Sequence, residues 1–541
     1  MKKKLFLSFI LGLFLFACSD KNEDDIMVPG PGKEPVKVET VSLYKTDGIN
    51  FTYEGQSIEF EFLVDPKNDS LNTDINSEDC QIFLIDEDNK EIGKDEEGNV
   101  SITEISLRFQ NSSSINGRYV MTLKNLCKSN SGFNIKTRIL IRTSYGDITS
   151  PEFVISYETE LGKILATGLP VVIINTPKGN EINSKEEWTP EVSMIIYDSN
   201  GDVDYEGSLS MKGRGNTTWW LYPKKPYALK LDSKSKILGM KKHKRWCLLA
   251  NYIDRTLIRN DVAFEISRKT DLPYTPSGQF VELIFNGKYQ GNYYLTEQIK
   301  VDENRVNIAE LKDVVEGEGI TGGYIFELDT YYDETYKFYS DKFGLPWQFK
   351  DPDEVNGNQF EYVRNYVKEM ETTLMENNVL SHDYLQYIDI ESFIDYWFVY
   401  ELTTNWEPNH PKSVYMTKDM NGKIMAGPVW DFDWETFNST WTSKFVIKDA
   451  IYYKTLFKDP KFVETLKERW ILLKPRFDTI PTYIEGLREK IRKSNDLNYE
   501  KWKCPEAVNA DYKLNYDESI DMLKKAYVDK LNWLDQSIQN L

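Results

Sequence analysis

Beyond residue 37 the chain opens with short runs in which apolar and polar residues alternate. VETVSLY (38–44), SIEFEFLV (57–64), QIFLID (81–86), SITEISLRF (101–109), RYVMTL (118–123), TRILIRTSYG (137–146) and EFVISY (152–157) are separated by clusters of Asn, Asp, Gly and Ser. Alternation with period two sends one row of side chains to a core and the other to solvent, as in a half-buried strand. Such spacing predicts an all-β, antiparallel sandwich of immunoglobulin-like type over residues 38–158. Nothing in these runs suggests catalysis, so this part reads as a spacer or docking module.

From Leu161 the texture changes. Strand-like runs, PVVIIN (170–175), VSMIIYD (192–198) and GQFVELIFN (278–286), mingle with helical stretches. Beyond Asn358 apolar residues recur at three and four, as in QFEYVRNYVKEMETTLMENN, IESFIDYWFVYELTT and DMLKKAYVDKLNWLDQSIQ, and predict helices. A strand-rich half followed by a helix-rich half is an α+β arrangement. Two lobes with a cleft between them suit it, and residues 161–541 form the expected second domain.

The start of the chain is of another kind. Lys2, Lys3 and Lys4 precede an apolar run from Leu5 to Phe16, too short to span a membrane, so residues 1–17 read as a secretory signal. Leu15-Phe16-Ala17-Cys18 resembles a bacterial lipobox, which implies cleavage before Cys18 and lipid attached to it. Residues 18–37, polar, acidic and broken by three prolines, then read as a flexible tether.

Loss of the three leader lysines takes the formal charge from -20 to -23. Such a surface argues against nucleic acid and against adhesion to anionic lipid by charge, leaving the lipid anchor as the membrane contact. Cys80, Cys127, Cys247 and Cys504 have no CxxC spacing and signal no zinc site, while a Cys80 to Cys127 disulfide stays open. With only His243, His382 and His410, a histidine-rich metal centre or a His-driven triad is not expected.

Candidate chemistry sits in a few segments of the second domain. GPVWDFDWE (427–435) seats Asp431 and Asp433 between Trp430, Phe432 and Trp434. An extended segment would turn both acids to one face and the rings to the other. Read locally, the acids accept backbone N–H bonds at the end of a core strand; a second reading has them share a hard divalent cation. MKGRGNTTWWLYPKKPYALKLD (211–232) places Gly213 and Gly215 around Arg214, before a strand carrying Lys224, Lys225 and Lys230. Glycines admit an anion to the backbone and lysines supply charge for phosphate. LLANYIDRTLIRND (248–261) reads as a helix start with Asp254, Arg255, Arg259 and Asn260, and Asn286-Gly287 as a hairpin turn leading toward Glu297.

The RGN turn, the KKPYALKL strand, the NYIDRTLIRN helix, the GNYYLTE hairpin and WDFDW, in that order, resemble the CotH family, which contains secreted protein kinases of atypical, two-lobed fold. The resemblance covers roughly residues 170–540. It implies Mg or Mn with ATP as cofactor, with Asp431 holding the metal and Asp433 as second ligand or orienting neighbour. It also implies that Lys225 or Lys230 meets phosphate, that the turn Arg214-Gly215-Asn216 covers it, and that Glu297 lies near the nucleotide. Arg259 and Asn260 are expected to face the cleft. Where the family presents an aspartate followed a few residues later by an asparagine, this chain reads Asn405-Trp406-Glu407-Pro408-Asn409-His410-Pro411-Lys412-Ser413. Glu407, longer by one methylene, stands in for the aspartate as candidate base, and Asn409 for the asparagine.

Two functions follow from these residues. One is a lipid-tethered, Mg-dependent kinase acting on a protein acceptor. The other is a degenerate kinase-like module that grips a glycan, peptide or partner protein through an aromatic cleft, a use to which 13 tryptophans and 33 tyrosines are suited. The expected location is the outer membrane. The acidic run Asn22-Glu23-Asp24-Asp25 behind Cys18 resembles export signals of surface lipoproteins and tilts the reading outward.

Overall fold

A computed structural model describes residues 38–52, 54–65, 81–93, 98–107, 117–128, 132–143, 146–311, 316–504 and 509–541. The leader, Cys18, the tether and Cys80 lie outside them. The chain divides into two compact units, one ending at Tyr157 and the other Glu158–Leu541.

In the first unit the alternating runs form strands in two sheets. Ser57–Asp65 pairs antiparallel with Thr40–Tyr44 and Gly117–Asn125, and Val100–Leu107 adds to the latter. In the other sheet Phe133–Thr143 lies between Gln81–Ile85 and Phe153–Tyr157. The inward rows Phe60, Phe62, Tyr119, Met121, Ile139, Ile141 and Ile155 meet in one core, as period two requires. One pairing departs from the antiparallel expectation: Phe153–Tyr157 runs parallel to Gly48–Phe51.

The second unit mixes strands and helices. Val171–Asn175, Thr189–Tyr197, Val203–Gly213, Tyr227–Ile237, Met240–Leu249, Lys288–Glu297 and Gly278–Phe285 follow one another around a closed barrel. The barrel closes by parallel pairing of the last with the first. Val172, Met194, Leu209, Met211, Leu229, Trp246, Leu283 and Leu295 point inward and fill it. The Asn286-Gly287 turn joins the two expected hairpin strands, with both residues at positive φ. Downstream, a five-stranded sheet has Tyr324–Leu328 at its centre, between Pro346–Asp351 and Val414–Lys418. The helices Gly357–Thr373, Ile390–Leu402, Pro460–Phe477, Ile480–Lys501 and Tyr516–Ser537 share a large core with this sheet.

Ile390–Leu402 is buried almost all round, which explains why its sequence is apolar on every face. The expected helix start at 248–261 is narrower than predicted. Leu248 and Leu249 end a strand, turns with Asn251 and Leu257 at positive φ follow, and the helix is Arg259–Arg268. No helix among the described residues is long and apolar enough to cross a membrane.

Candidate active site

After the short strand Ile424–Ala426 the backbone leaves the sheet through Gly427, at φ 104. The segment 427–438 is irregular, so the extended strand expected for GPVWDFDWE is corrected here: Asp431 has φ 67, a left-handed conformation that breaks any alternation. Long-range bonds shape it instead. The Phe432 amide donates to Asn260 Oδ1 at 2.8 Å, Asn509 Nδ2 to the Asp433 carbonyl at 2.8 Å, Asn405 Nδ2 to the Asp431 carbonyl at 3.3 Å and Arg259 Nη1 to the Thr436 carbonyl at 2.5 Å. Trp430 and Phe432 of the expected ring row are buried, but Trp434 is only half-buried, as are Asp431 and Asp433.

The two acids meet despite the lost strand. The charges of the two carboxyls act on each other. Burial, opposed by the nearby Arg214 guanidinium, leaves Asp431 above the usual carboxylate range; burial and the Asp431 charge push Asp433 well above it. Glu407 stands within their field. Burial first, then Asp431 and Asp433, raise it well above its ordinary value, with Lys412 pulling the other way. Its Oε2 is buried without a hydrogen-bond partner. Asp329 joins the group: it accepts the Tyr331 amide at 2.7 Å and the Ser413 amide at 3.3 Å, and burial with the Glu327 charge pushes it up to about 7. These acids come from three separate parts of the sequence, 327–329, 407 and 431–433.

The outer face of the barrel wall carries a row of cations, of which Arg214 acts on Asp431. Cross-strand register puts Ser210, Lys230 and Arg245 side by side, and Lys212 beside Ala228 and Cys247. Residues two apart share a face, so Lys212, Arg214, Lys230 and Arg245 all lie on the outside of the barrel wall whose inside is Leu209, Met211, Leu229 and Trp246. Arg214 stands over the Trp430 ring at 5.3 Å and acts on Asp431. Lys212 and Arg245 stand 5.1 and 4.9 Å from the Trp188 ring. Burial, reinforced by Arg245, lowers the Lys212 ammonium, so these cations repel one another in a chain otherwise rich in acid.

The other expected residues fall as follows. Lys225 donates to the Trp219 carbonyl at 2.5 Å, which ties its ammonium to the turn. Asn216 takes a hydrogen bond from Lys185 and precedes the short helix Thr217–Leu221, with Gly215 before it at φ 75, where a side chain would be strained. Glu297 is buried and engaged by Arg305 at 2.7 Å, the Tyr274 hydroxyl at 2.9 Å and the Ser277 amide at 3.1 Å. Arg259, expected to face the cleft, is wholly buried behind the acid loop between Asp254 at 3.2 Å and Asp511 at 2.6 Å. Sequence reasoning missed Lys212, Arg245 and Asp329. The alternation Ser210-Met211-Lys212-Gly213-Arg214 held the signal for Lys212; no local pattern pointed to Asp329.

Among the described residues no group of three or more His, Cys, Asp or Glu side chains could hold a metal ion alone. The donor chemistry nevertheless fits a magnesium-like ion. Two neighbouring carboxylates are hard oxygen donors, and magnesium takes one or two carboxylates while keeping water and phosphate oxygens as its other ligands.

No curated protein matches the chain. The sequence model described as CotH kinase protein matches residues 211–534, from the end of the strand bearing Lys212 to the last helix, and takes in every acid and cation of this site. The chain therefore belongs to the CotH kinase protein family.

Proposed function

We propose that the protein is a magnesium-dependent atypical kinase that moves the terminal phosphoryl group of a nucleotide to a hydroxyl of a protein acceptor. The observation that carries this reading is the gathering of Glu407, Asp431 and Asp433 with Arg214 beside Asp431. In it the barrel and the sheet with its helices act as two lobes around a nucleotide. Asp431 and Asp433 would hold the metal, which when bound supplies positive charge against the phosphate oxygens. Arg214 lies next to Asp431 and would take the terminal phosphate, with Lys212 and Arg245 along the more distant phosphates. As the acceptor oxygen bonds to phosphorus and the bond to the nucleotide's bridging oxygen breaks, Glu407 Oε2 would receive the hydroxyl proton. Burial and the two aspartates raise the proton affinity of Glu407, which suits a proton acceptor, and Lys412 opposes that rise.

Calorimetry on the purified protein with ATP and a non-hydrolysable analogue tests the reading. Heat is expected only with Mg or Mn, and Asp431→Asn should abolish the metal dependence. No heat at any metal concentration would refute it.

A second reading, a binding protein without transfer, draws on the rings at the same place. Trp406 beside Glu407 is 40 % exposed, and Tyr331, 44 % exposed, hydrogen bonds at 2.9 Å to Thr217 next to the exposed Trp220. A glycan or peptide that binds equally well with the metal chelated would favour it.

The proposal includes the site's setting: an immunoglobulin-like spacer and a lipid on Cys18 that holds the chain at the outer membrane. Cys18→Ala should move the protein from the detergent-extracted membrane fraction to the soluble one. A mutant that stays with the membrane would exclude the anchor.

A further inference from the structure

Glu407 must present its carboxylate at one place for the proposed transfer, yet its Oε2 touches no hydrogen-bonding group. Its position therefore comes from the backbone of the short turn Glu407–Asn409. The Glu407 amide donates to Asn405 Oδ1 at 2.9 Å, and its carbonyl accepts the His410 amide at 3.0 Å. The turn is braced from outside through Asn409, whose Nδ2 donates to the Trp406 carbonyl at 2.9 Å and to the Val446 carbonyl at 3.0 Å.

Val446 is itself held. Its amide and that of Ile447 donate to the Glu401 carboxylate, at 2.8 Å each to Oε1. Glu401 ends the buried helix Ile390–Leu402 and is paired at 2.7 Å with Lys530 of the last helix, both side chains wholly buried. Lys530 also donates to the Lys444 carbonyl at 2.6 Å. One buried ion pair thus grips the segment 444–447 from two sides, and that segment grips Asn409.

A buried ion pair is poor evidence of stability, because desolvation of both charges offsets their attraction and apolar replacements are often neutral. Its value lies in geometry: a carboxylate takes two amides and an ammonium in one plane, where an apolar side chain would leave the 444–447 backbone free to shift.

We propose that Lys530 and Glu401 are positioning residues for Glu407, acting through Val446 and Asn409. This rests on the phosphotransfer reading of the same site. The experiment compares the full-length protein with Lys530→Met, Lys530→Arg and Asn409→Ala by hydrogen exchange of residues 403–413, nucleotide binding and transfer rate. Lys530→Met and Asn409→Ala should speed exchange at Asn409 and His410 and lower turnover by up to about 100-fold, the scale of a misplaced catalytic group, with nucleotide affinity unchanged. Lys530→Arg should restore most of both.

Unaltered exchange over 403–413 in Lys530→Met, or a turnover loss that only tracks the folded fraction, would overturn the proposal. If Lys530→Met does not fold, Asn409→Ala decides, and normal turnover there overturns it equally. Wild-type protein that binds nucleotide but transfers none would remove the phosphotransfer reading, while the exchange comparison would still judge the link from Lys530 to the turn.

Discussion

The Asn260 side chain accepts the backbone amide of Phe432 at 2.8 Å across 172 residues of sequence. The bond joins the first turn of the helix Arg259–Arg268 to the middle of the acid loop, so the helix sets where Asp431 and Asp433 stand. Both partners are buried, and an amide left there without an acceptor carries its full desolvation cost.

Asn260→Ala should therefore destabilise the fold by about 1–3 kcal/mol, the range for an orphaned buried donor. It should also weaken metal-dependent nucleotide binding, since the carboxylates would lose their register. Denaturant melts and calorimetry measure the two effects. A melt shift with affinity untouched would mean that Arg259, Asn405 and Asn509 hold the loop without it.

The cation row separates two lysines that look alike in sequence. Lys212 lies on the outer barrel wall over the Trp188 ring, whereas the Lys225 ammonium is spent on the Trp219 carbonyl. Lys212→Met should cost about tenfold in nucleotide affinity, near the 1.5 kcal/mol low end for a hydrogen bond to a charged group, and should flatten its salt dependence. Lys225→Met should leave affinity near wild type. A reversed order of the two would displace the phosphate site toward the turn 214–216.

Glu407→Gln preserves shape and removes both basicity and charge. Transfer should fall by about 10²–10⁴, the usual contribution of a general base, while nucleotide affinity changes little. The melting temperature should rise, because a carboxylate held beside Asp431 and Asp433 is relieved of like-charge repulsion. A lower melting temperature with unchanged transfer per folded molecule would make Glu407 a brace for the loop 408–411.

Lys224 supplies a pH test away from the site. It is buried between the barrel and the helix Ile480–Lys501, donating to Asn498 Oδ1 at 2.8 Å and to the Asn292 carbonyl, and burial lowers its value to about 7 although Glu282 nearby opposes this. Between that value and the ordinary lysine value the unfolded chain holds a proton that the folded one lacks. Stability should thus rise as pH increases from about 7 to 10, by at most about 1.4 kcal/mol per pH unit, the value for one whole proton. The cost of the buried charge is fully present below pH 7. In Lys224→Met this part of the slope should vanish. Parallel pH profiles of wild type and mutant would exclude Lys224 as its source.

The sequence by itself determined the local elements and the family. Period-two runs became the strands around Phe60, Tyr119 and Ile139, and Asn286-Gly287 became a hairpin, because alternation and turn chemistry act between neighbours in the chain. It also named both acids of the pair and Glu407. Only the tertiary structure decided that Asp431 and Asp433 meet through a left-handed kink rather than along a strand, since the bonds responsible reach the loop from Asn260, Asn405 and Asn509. It likewise buried Arg259 as the counter-charge of Asp254 and Asp511, set Lys230 beside Arg245 through cross-strand register, and brought Lys212 and Arg245 to the same Trp188 ring. Each of these arrangements is held by groups distant in sequence, and a local pattern carries no record of which distant group supplies the partner.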